Sequence, residues 1–468
     1  MIRRHEAPLE VKAFIEGMKR SFGGILAPRR DVYIVRAPAR LELMGGLAAR
    51  LGAVVLQTTL SDATVVGVQR RTDRRVLVRS LGLEKDGFCS TVEFDLDRAL
   101  QAPEKSGPAS RLFAKEPQAG WAASVAAVFQ ELVAYRKGPD LDTGVNIGIQ
   151  SSIPMRTGLG ASTALVCATA IGLIRLFGIE MPASEIPVLC HRAETRLWGT
   201  RASIADTLTV CLCGAHEVLA IRCQPGEIIK RVQLPQNVRF VGLNTLVQGP
   251  PDQHYLQAQI AASMGAKIML RHARKSSRGR DDYEGYLCNI PISEFGAYRR
   301  LLPARLTGRE FKALHGSLRD YGVSVDPATA YRVRSCTEHL LMEHRRTEQV
   351  LTLLADAEGE LEEAMAHVGR LMYDSHESTR RDCALVNREA DTIVNLVKEH
   401  GVDHGLYGAR ASGRQQGGVV AVAANTHTDD VLRNILAQYQ DSTGREGRLH
   451  AGSVPGALLS NVTVAQFS

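Results

Sequence analysis

The stretch Pro154-Met155-Arg156-Thr157-Gly158-Leu159-Gly160-Ala161-Ser162-Thr163-Ala164 places a proline, a Gly-x-Gly turn and two hydroxyl side chains directly ahead of an apolar run. Glycines at 158 and 160 leave the backbone open to a ligand that a side chain would block. Ser162 or Thr163 can bring a hydroxyl to the first free N–H groups of a following helix. Residues 164–177 are apolar at nearly every position, rich in Ala and Leu, and stop at Gly178, which predicts a buried helix closed by glycine. A glycine-rich turn at a helix N-terminus suits a phosphate. The same residues also serve as an ordinary turn and helix cap, so the segment alone leaves both readings open.

The 468 residues are enough for two or three domains, each with its own core. A net charge of +7, spread without a dense Lys/Arg block, argues against a nucleic-acid partner and is compatible with an anionic substrate. Nine cysteines are scattered, several inside apolar runs where a reduced thiol packs as a small hydrophobe. That usage points to a reducing, cytoplasmic setting. Cys211-x-Cys213 lacks the two-residue spacing of zinc knuckles, so no metal is expected there. Val11, Phe14, Ile15 and Met18 make the N-terminal stretch amphipathic, unlike a signal peptide, and no uncharged apolar run reaches about 18 residues, so no membrane span is expected.

Residues 31–36 and 53–69 read as strands, rich in Val, Ile and Thr with an approximate period of two. Between them, Ala37-Pro38-Ala39-Arg40-Leu41-Glu42-Leu43-Met44-Gly45-Gly46 reads as a tight segment, bracketed by Pro and paired Gly, that brings backbone close to a ligand. Residues 117–137 are predicted helical and 145–149 a strand. A second helix follows the cradle over 183–198, then a mixed region to 221. Strands around 232–243 open a second half that is mainly helical over 254–400, with a basic surface loop at 274–282. Leu406-Tyr407-Gly408-Ala409-Arg410-Ala411-Ser412-Gly413 is another glycine-punctuated strand and turn, followed after Arg414-Gln415-Gln416 by Gly417-Gly418-Val419-Val420-Ala421-Val422.

In order and character these three glycine-rich segments resemble the motifs of the GHMP kinases, the superfamily of galactokinase, homoserine kinase and mevalonate kinase. Pro38-Ala39-Arg40 matches the first motif. Pro154, Gly158, Leu159, Gly160, Ser162 and Ala164 match the phosphate loop, and Gly408 to Gly413 with Gly417-Gly418 resemble the third. Arg40 to Gly46, Cys223-Gln224-Pro225-Gly226-Glu227, Ala262-Ser263-Met264-Gly265 and Tyr286-Leu287-Cys288-Asn289-Ile290-Pro291 look most like the sugar-kinase branch related to L-arabinokinase. Ser375-His376-Glu377-Ser378 with Arg380 is similar to a galactokinase-branch signature. The resemblance implies an α+β, two-lobed fold: a ribosomal protein S5 domain 2-like N-terminal lobe over residues 1–225, and a ferredoxin-like α/β C-terminal lobe over 226–468.

Phosphoryl transfer from ATP to a sugar hydroxyl needs a phosphate cradle, a divalent ion, a carboxylate at the hydroxyl and a cation at the transferring group. Carried onto this chain, the resemblance puts ATP on Pro154 and Gly158, Leu159, Gly160, Ala161, Ser162 and Thr163. Magnesium falls on Ser162 and Glu194. Asp206 is implied as the catalytic carboxylate with Arg40 beside it, although the pair also reads as an ordinary structural ion pair. Gly408, Ser412, Gly413, Gly417 and Gly418 close over the site, and Glu42, Gly46, Arg50 and Tyr255 face the acceptor. The expected partner is a small sugar-like substrate, with no nucleic acid and no membrane, in a cytoplasmic monomer or homodimer.

Departures fall at the ligands. Ala49-Arg50 stands where this branch carries Asp-Tyr, which removes a carboxylate for sugar hydroxyls and adds a cation, favouring an acceptor with negative charge or altered hydroxyls. Ala161 replaces a Ser in the phosphate loop, Asn244 an Asp, and Arg414-Gln415-Gln416 a glycine run. Two functions follow: an active sugar kinase with an altered acceptor pocket, or a degenerate relative that binds nucleotide or sugar as a sensor. Retention of Arg40, Ser162, Glu194 and Asp206 favours the enzyme.

Overall fold

The computed structural model of the protein describes residues 9–21, 25–100, 109–135, 141–198, 203–247, 252–276, 282–356, 360–413 and 418–466. In chain order its strands are β1 (Asp31–Met44), β2 (Val54–Arg70), β3 (Arg75–Leu81), β4 (Thr91–Asp95), β5 (Val145–Ser151), β6 (Glu217–Arg222), β7 (Glu227–Gln233), β8 (Val238–Asn244), β9 (Leu306–Thr307), β10 (Ala330–Tyr331), β11 (Leu406–Ser412), β12 (Val419–Asn425), β13 (Arg448–His450) and β14 (Thr463–Gln466). The first sheet runs β14-β1-β2-β5-β3-β4, with β6 added to β2 and β7 to β6. It is mixed, because β3 and β5 are parallel while the other pairs are antiparallel. β2 serves two neighbours on one edge, with residues 54–57 on β6 and 64–70 on β5.

Residues 37–44 are strand, not the tight segment that Pro38 and the glycines predict; β1 continues to Met44 and turns only at Gly45. Proline has no N–H for the ladder, and the register with β2 shifts between Pro38 and Arg40 and again between Glu42 and Met44, so bulges absorb it. The strand is buried almost end to end. Helices Ala123–Ala134, Ala161–Phe177, Ile186–Trp198 and Ile204–Leu212 supply most of the rest of this lobe's core.

The second sheet, β11-β12-β8-β13, is antiparallel. Val419, Ala421 and Ala423 of β12 join the first lobe's core, whereas Val420, Val422 and Ala424 pack with Ile393, Leu432 and Ile435 of helices Arg388–His400 and Asp429–Thr443. Both faces are covered, which is why this strand reads as an unbroken apolar run. A third cluster joins helices Asp252–Ser276 and Val333–Ala355 to the short helical turn Gly46–Leu51. The helical stretch predicted over 254–400 is present, interrupted by the small β9–β10 pair. Arg274 and Lys275 belong to the last turn of a helix rather than to a loop, and residues 277–281 lie outside the described residues. The sheets do not divide the chain at 225, since β7 and the returning β14 both belong to the first. Among the described residues no helix is long and apolar enough to cross a membrane.

Helix Leu361–Ser378 reaches β11 by backbone contact at Gly369 and Gly408; a Cβ on Gly369 would stand 1.7 Å from the Tyr407 carbonyl oxygen, and one on Gly408 2.3 Å from the Gly369 Cα. Gly408 is therefore a packing position that seats the third motif. Neither backbone can yield, so Gly369→Ala is expected to destabilise by roughly 3 kcal/mol or more, at the upper end of overpacking costs. Urea unfolding of the variant checks this, and an unchanged midpoint would contradict the packing.

Candidate active site

Period-two alternation puts Arg40 and Glu42 on one face of β1. The Arg40 N–H donates to the Leu159 carbonyl at 3.0 Å, and its Nη1 donates to the Gly158 carbonyl at 2.5 Å, so strand and cradle are joined through both main chain and guanidinium. The helix predicted to begin at 164 begins at Ala161. Gly160, in the left-handed conformation at φ 82°, is its N-cap, and a side chain there would press on Arg40. Ser162 and Thr163 thus lie in the first turn and do not cap it. Pro154 starts the loop, its carbonyl accepting from Thr157 Oγ1 at 3.1 Å.

Asp206 arrives from the other side, in the first turn of helix Ile204–Leu212, where a carboxylate suits the positive end of the dipole. Ser203 is the N-cap and accepts from the Ala205 N–H at 3.3 Å. Arg40 Nη2 donates to Asp206 Oδ2 at 3.0 Å while Nε stands 2.9 Å from Oδ1. Burial would lower the Arg40 guanidinium, but Asp206 and Glu42 outweigh it and raise it. Gln57 Nε2 donates to Asp206 Oδ1 at 2.8 Å, and Thr209 Oγ1 donates to Gln57 Oε1 at 2.8 Å. The carboxylate can only accept, so it fixes the amide's NH₂ toward Asp206 and leaves the Gln57 oxygen to accept from Thr209.

Glu194, from helix Ile186–Trp198, is only 4 % exposed. Thr163 Oγ1 lies 3.0 and 3.1 Å from its two oxygens. Burial, followed by the charge of Asp206, raises its carboxyl to about 7 against the opposing pull of Thr163, Ser162 and Arg40. Ser162 Oγ is buried without a hydrogen bond of good geometry. A poorly compensated buried carboxylate beside an unspent hydroxyl, at a helix start, is a donor set that fits a magnesium ion.

The third motif closes on this group. Ser412 Oγ donates to the Glu42 carbonyl at 2.7 Å, and a Cβ on Gly413 would lie 2.8 Å from the Gly158 carbonyl oxygen. Gly418 lies against Thr157. Gly417 and 414–416, whose bulk departs from the family pattern, lie outside the described residues. Behind the motif Arg410, 1 % exposed, donates to the Leu43 carbonyl at 3.1 Å and faces Glu42 at 3.8 Å and Glu343 at 3.6 Å. Glu343 also accepts from the Gly45 N–H at 3.2 Å, Ser375 Oγ at 2.9 Å and Arg346 at 3.0 Å. The Ser375-His376-x-Ser378 element braces this layer, since His376 Nδ1 accepts from the Ala411 N–H at 3.2 Å while its Nε2 meets Asp391 at 2.9 Å. Arg380 is exposed and pairs with Glu377 instead.

The structure therefore brings together Arg40, Asp206, Gly158, Gly160, Thr163, Glu194, Ser412 and Gly413. Gly46 opens the turn Gly46–Leu51, whose Leu47, Ala48 and Leu51 enter the same apolar cluster as Tyr255. The Arg50 side chain lies outside the described residues. Ala49 is packed with Ile204, Leu208 and Cys223, so the position of the branch's carboxylate is apolar here. The sequence reading missed Gln57, Thr209 and Glu343. Three cysteines, Cys167, Cys190 and Cys211, also converge within 4.8 Å, one from each of the three helices carrying Ser162, Glu194 and Asp206.

Residues 122–214 match the GHMP kinases N terminal domain. L-arabinokinase of Arabidopsis thaliana is 25 % identical, the match covering 94 % of this chain and 47 % of that protein, so the chain spans about half of that relative. The galactokinase of Lactococcus lactis, solved complexed with galactose, superposes with a TM-score of 0.73 at 19 % identity, covering 94 % of this chain and 98 % of that one. The mevalonate kinase of Methanococcus jannaschii gives 0.57 at 15 % identity, covering 90 % and 98 %.

Burial opposes ionisation of Glu343, but Arg410, Arg346, His339 and Ser375 outweigh it and lower its carboxyl to about 2. Its contribution to stability is complete above the ordinary carboxylate value of 4.5 and is lost as the pH falls from there through about 2. Glu343→Gln should cost about 3 kcal/mol at pH 7 by stranding Arg410, and the gap to the native chain should narrow as the pH falls through that window. Urea titrations at several pH values measure it; a gap independent of pH is the contrary result.

Proposed function

We propose that this chain, which belongs to the GHMP kinase superfamily, transfers the γ-phosphoryl group of ATP to a hydroxyl, in our reading the anomeric one, of a sugar or sugar-like metabolite. One observation carries the proposal: the Arg40 guanidinium contacts the Gly158 carbonyl of the phosphate cradle and the Asp206 carboxylate together. Any phosphate on the cradle and any hydroxyl on Asp206 would meet at that cation.

In this reading, the triphosphate lies at the N-terminus of helix Ala161–Phe177, on N–H groups that have no partner within the helix. Asp206 accepts the acceptor's hydroxyl proton or orients it, Gln57 and Thr209 hold the carboxylate in place, and Arg40 offsets the charge on the transferring group. Ser162 and Glu194 would hold magnesium, which when bound neutralises phosphate charge. Gly413, with Gly417 and Gly418, would close the loop over the nucleotide.

The names of the relatives supply the acceptor class, a monosaccharide. Glu42, Gly46, Arg50 and Tyr255 are proposed to face it. Apolar packing of Ala49 removes the branch's carboxylate from the sugar, which supports an acceptor with a different polar pattern, carrying negative charge or altered hydroxyls.

Purified chain with magnesium-ATP and a panel of pentoses, hexoses and uronic acids, followed by phosphorus NMR, tests the reading. A new phosphate ester is expected with one class of acceptor. Asp206→Asn should lower kcat by about 10²–10⁴-fold while leaving ATP affinity within about twofold. ATP binding without turnover on any acceptor would overturn the kinase reading.

A further inference from the structure

Helix Val333–Ala355 presents Arg334, Glu338, Met342 and Arg346 at four-residue intervals, and these residues floor a cavity of about 620 Å³. Six guanidinium groups line it, from Arg299, Arg305, Arg332, Arg334, Arg346 and Arg381. Glu338 and Asp382 are the carboxylates that line it, and both are engaged: Glu338 with Arg299 at 3.1 Å and Asp382 with Arg381 at 3.0 Å. Arg332 donates to the Arg381 carbonyl at 2.9 Å and Arg334 to the Leu302 carbonyl at 2.8 Å. A carbonyl satisfies a donor without cancelling its charge. His339 on the wall is pushed down to about 4 by burial, so it adds no charge at neutral pH. Six cations against these two anions, and against Glu343 that pairs Arg346 from behind the wall, leave an excess of three positive charges around the cavity.

We propose that this cavity binds the phosphate group of a small phosphorylated molecule. Converging guanidinium forks match phosphate oxygens in pairs, and the volume is that of a small-ligand site. The cavity is separate from the cradle: none of Arg40, Glu42, Ser162, Glu194 or Asp206 lines it. It is nevertheless wired to the motifs. Arg346 donates to Glu343 Oε2, while Oε1 of the same carboxylate holds the Gly45 N–H and Ser375 and faces Arg410. An anion that draws Arg346 toward itself changes the charge felt by the turn after the first motif and by the third motif, so occupancy is coupled to the cradle side.

The phosphate can belong to a diphosphate or to a sugar phosphate monoester, and the experiment separates them. Pyrophosphate and galactose 1-phosphate are each titrated calorimetrically into the full chain kept saturated with a non-hydrolysable ATP analogue and magnesium, which fills the cradle. Saturable binding is expected, the tighter probe naming the source. Arg305→Gln combined with Arg381→Gln, both at exposed positions, should weaken it by about tenfold or more through loss of charge-assisted contacts. Arg332→Gln serves as the second variant if the double substitution lowers the thermal midpoint. Absence of saturable binding by either probe, or unchanged affinity in the variants, overturns the proposal.

Discussion

A guanidinium that is only 5 % exposed has to be matched in charge and in hydrogen bonds, because an unpaired buried cation costs several kcal/mol, a large share of a domain's margin of stability. Arg40 meets that requirement by bringing two segments distant in sequence to its own strand. Its own strand, the cradle at Gly158 and Leu159, and the helix start at Asp206 must all arrive for the charge to be tolerated. The ion pair is thus a folding constraint and a chemical site at once. A bland structural ion pair at the surface would be worth little and would recruit nothing. Here burial makes the pair expensive to break, and the cradle is held open against it.

The cradle and the apolar helix behind it were legible because glycine spacing and a run of small apolar residues are local signals, and the structure differs only in starting the helix three residues early. Residues 37–44 were not, since Pro38 is a turn signal in isolation and only the bulged ladder with β2 shows how a strand accommodates it. Gln57 is a polar residue in an apolar strand, and its role follows from Thr209 and Asp206, about 150 residues away. No spacing rule announces that. Cys167, Cys190 and Cys211 likewise converge only because three helices pack together, whereas the pair close in sequence, Cys211 and Cys213, does not form the group.

Glu343 was illegible for a different reason: a Glu in a helix is ordinarily a surface residue, and nothing local marks this one as buried. Its pairing with Arg410 gives the third motif a charged floor. The long, forked side chain of Arg410 reaches both Glu42 and Glu343.

Two carboxylates therefore share one buried arginine, and hydrogen-bond donors decide which of them carries the charge. Glu343 receives the Gly45 N–H, the Ser375 hydroxyl and Arg346 in addition to Arg410, and its carboxyl is driven down. Glu42 has Arg410 only at 3.8 Å, its Oε1 is buried without a hydrogen bond, and burial drives its carboxyl up despite Arg410 and Arg40. Three extra donors on one side and none on that oxygen on the other separate the pair in the way that hydrogen bonding to the charged form dictates. The consequence falls on the Arg40 face of β1. Glu42, one pleat repeat from Arg40, retains a hydrogen-bonding atom that the protein leaves unspent, and it leans toward the neutral form that can donate as well as accept. The cluster behind it is arranged so that the negative charge stays on Glu343.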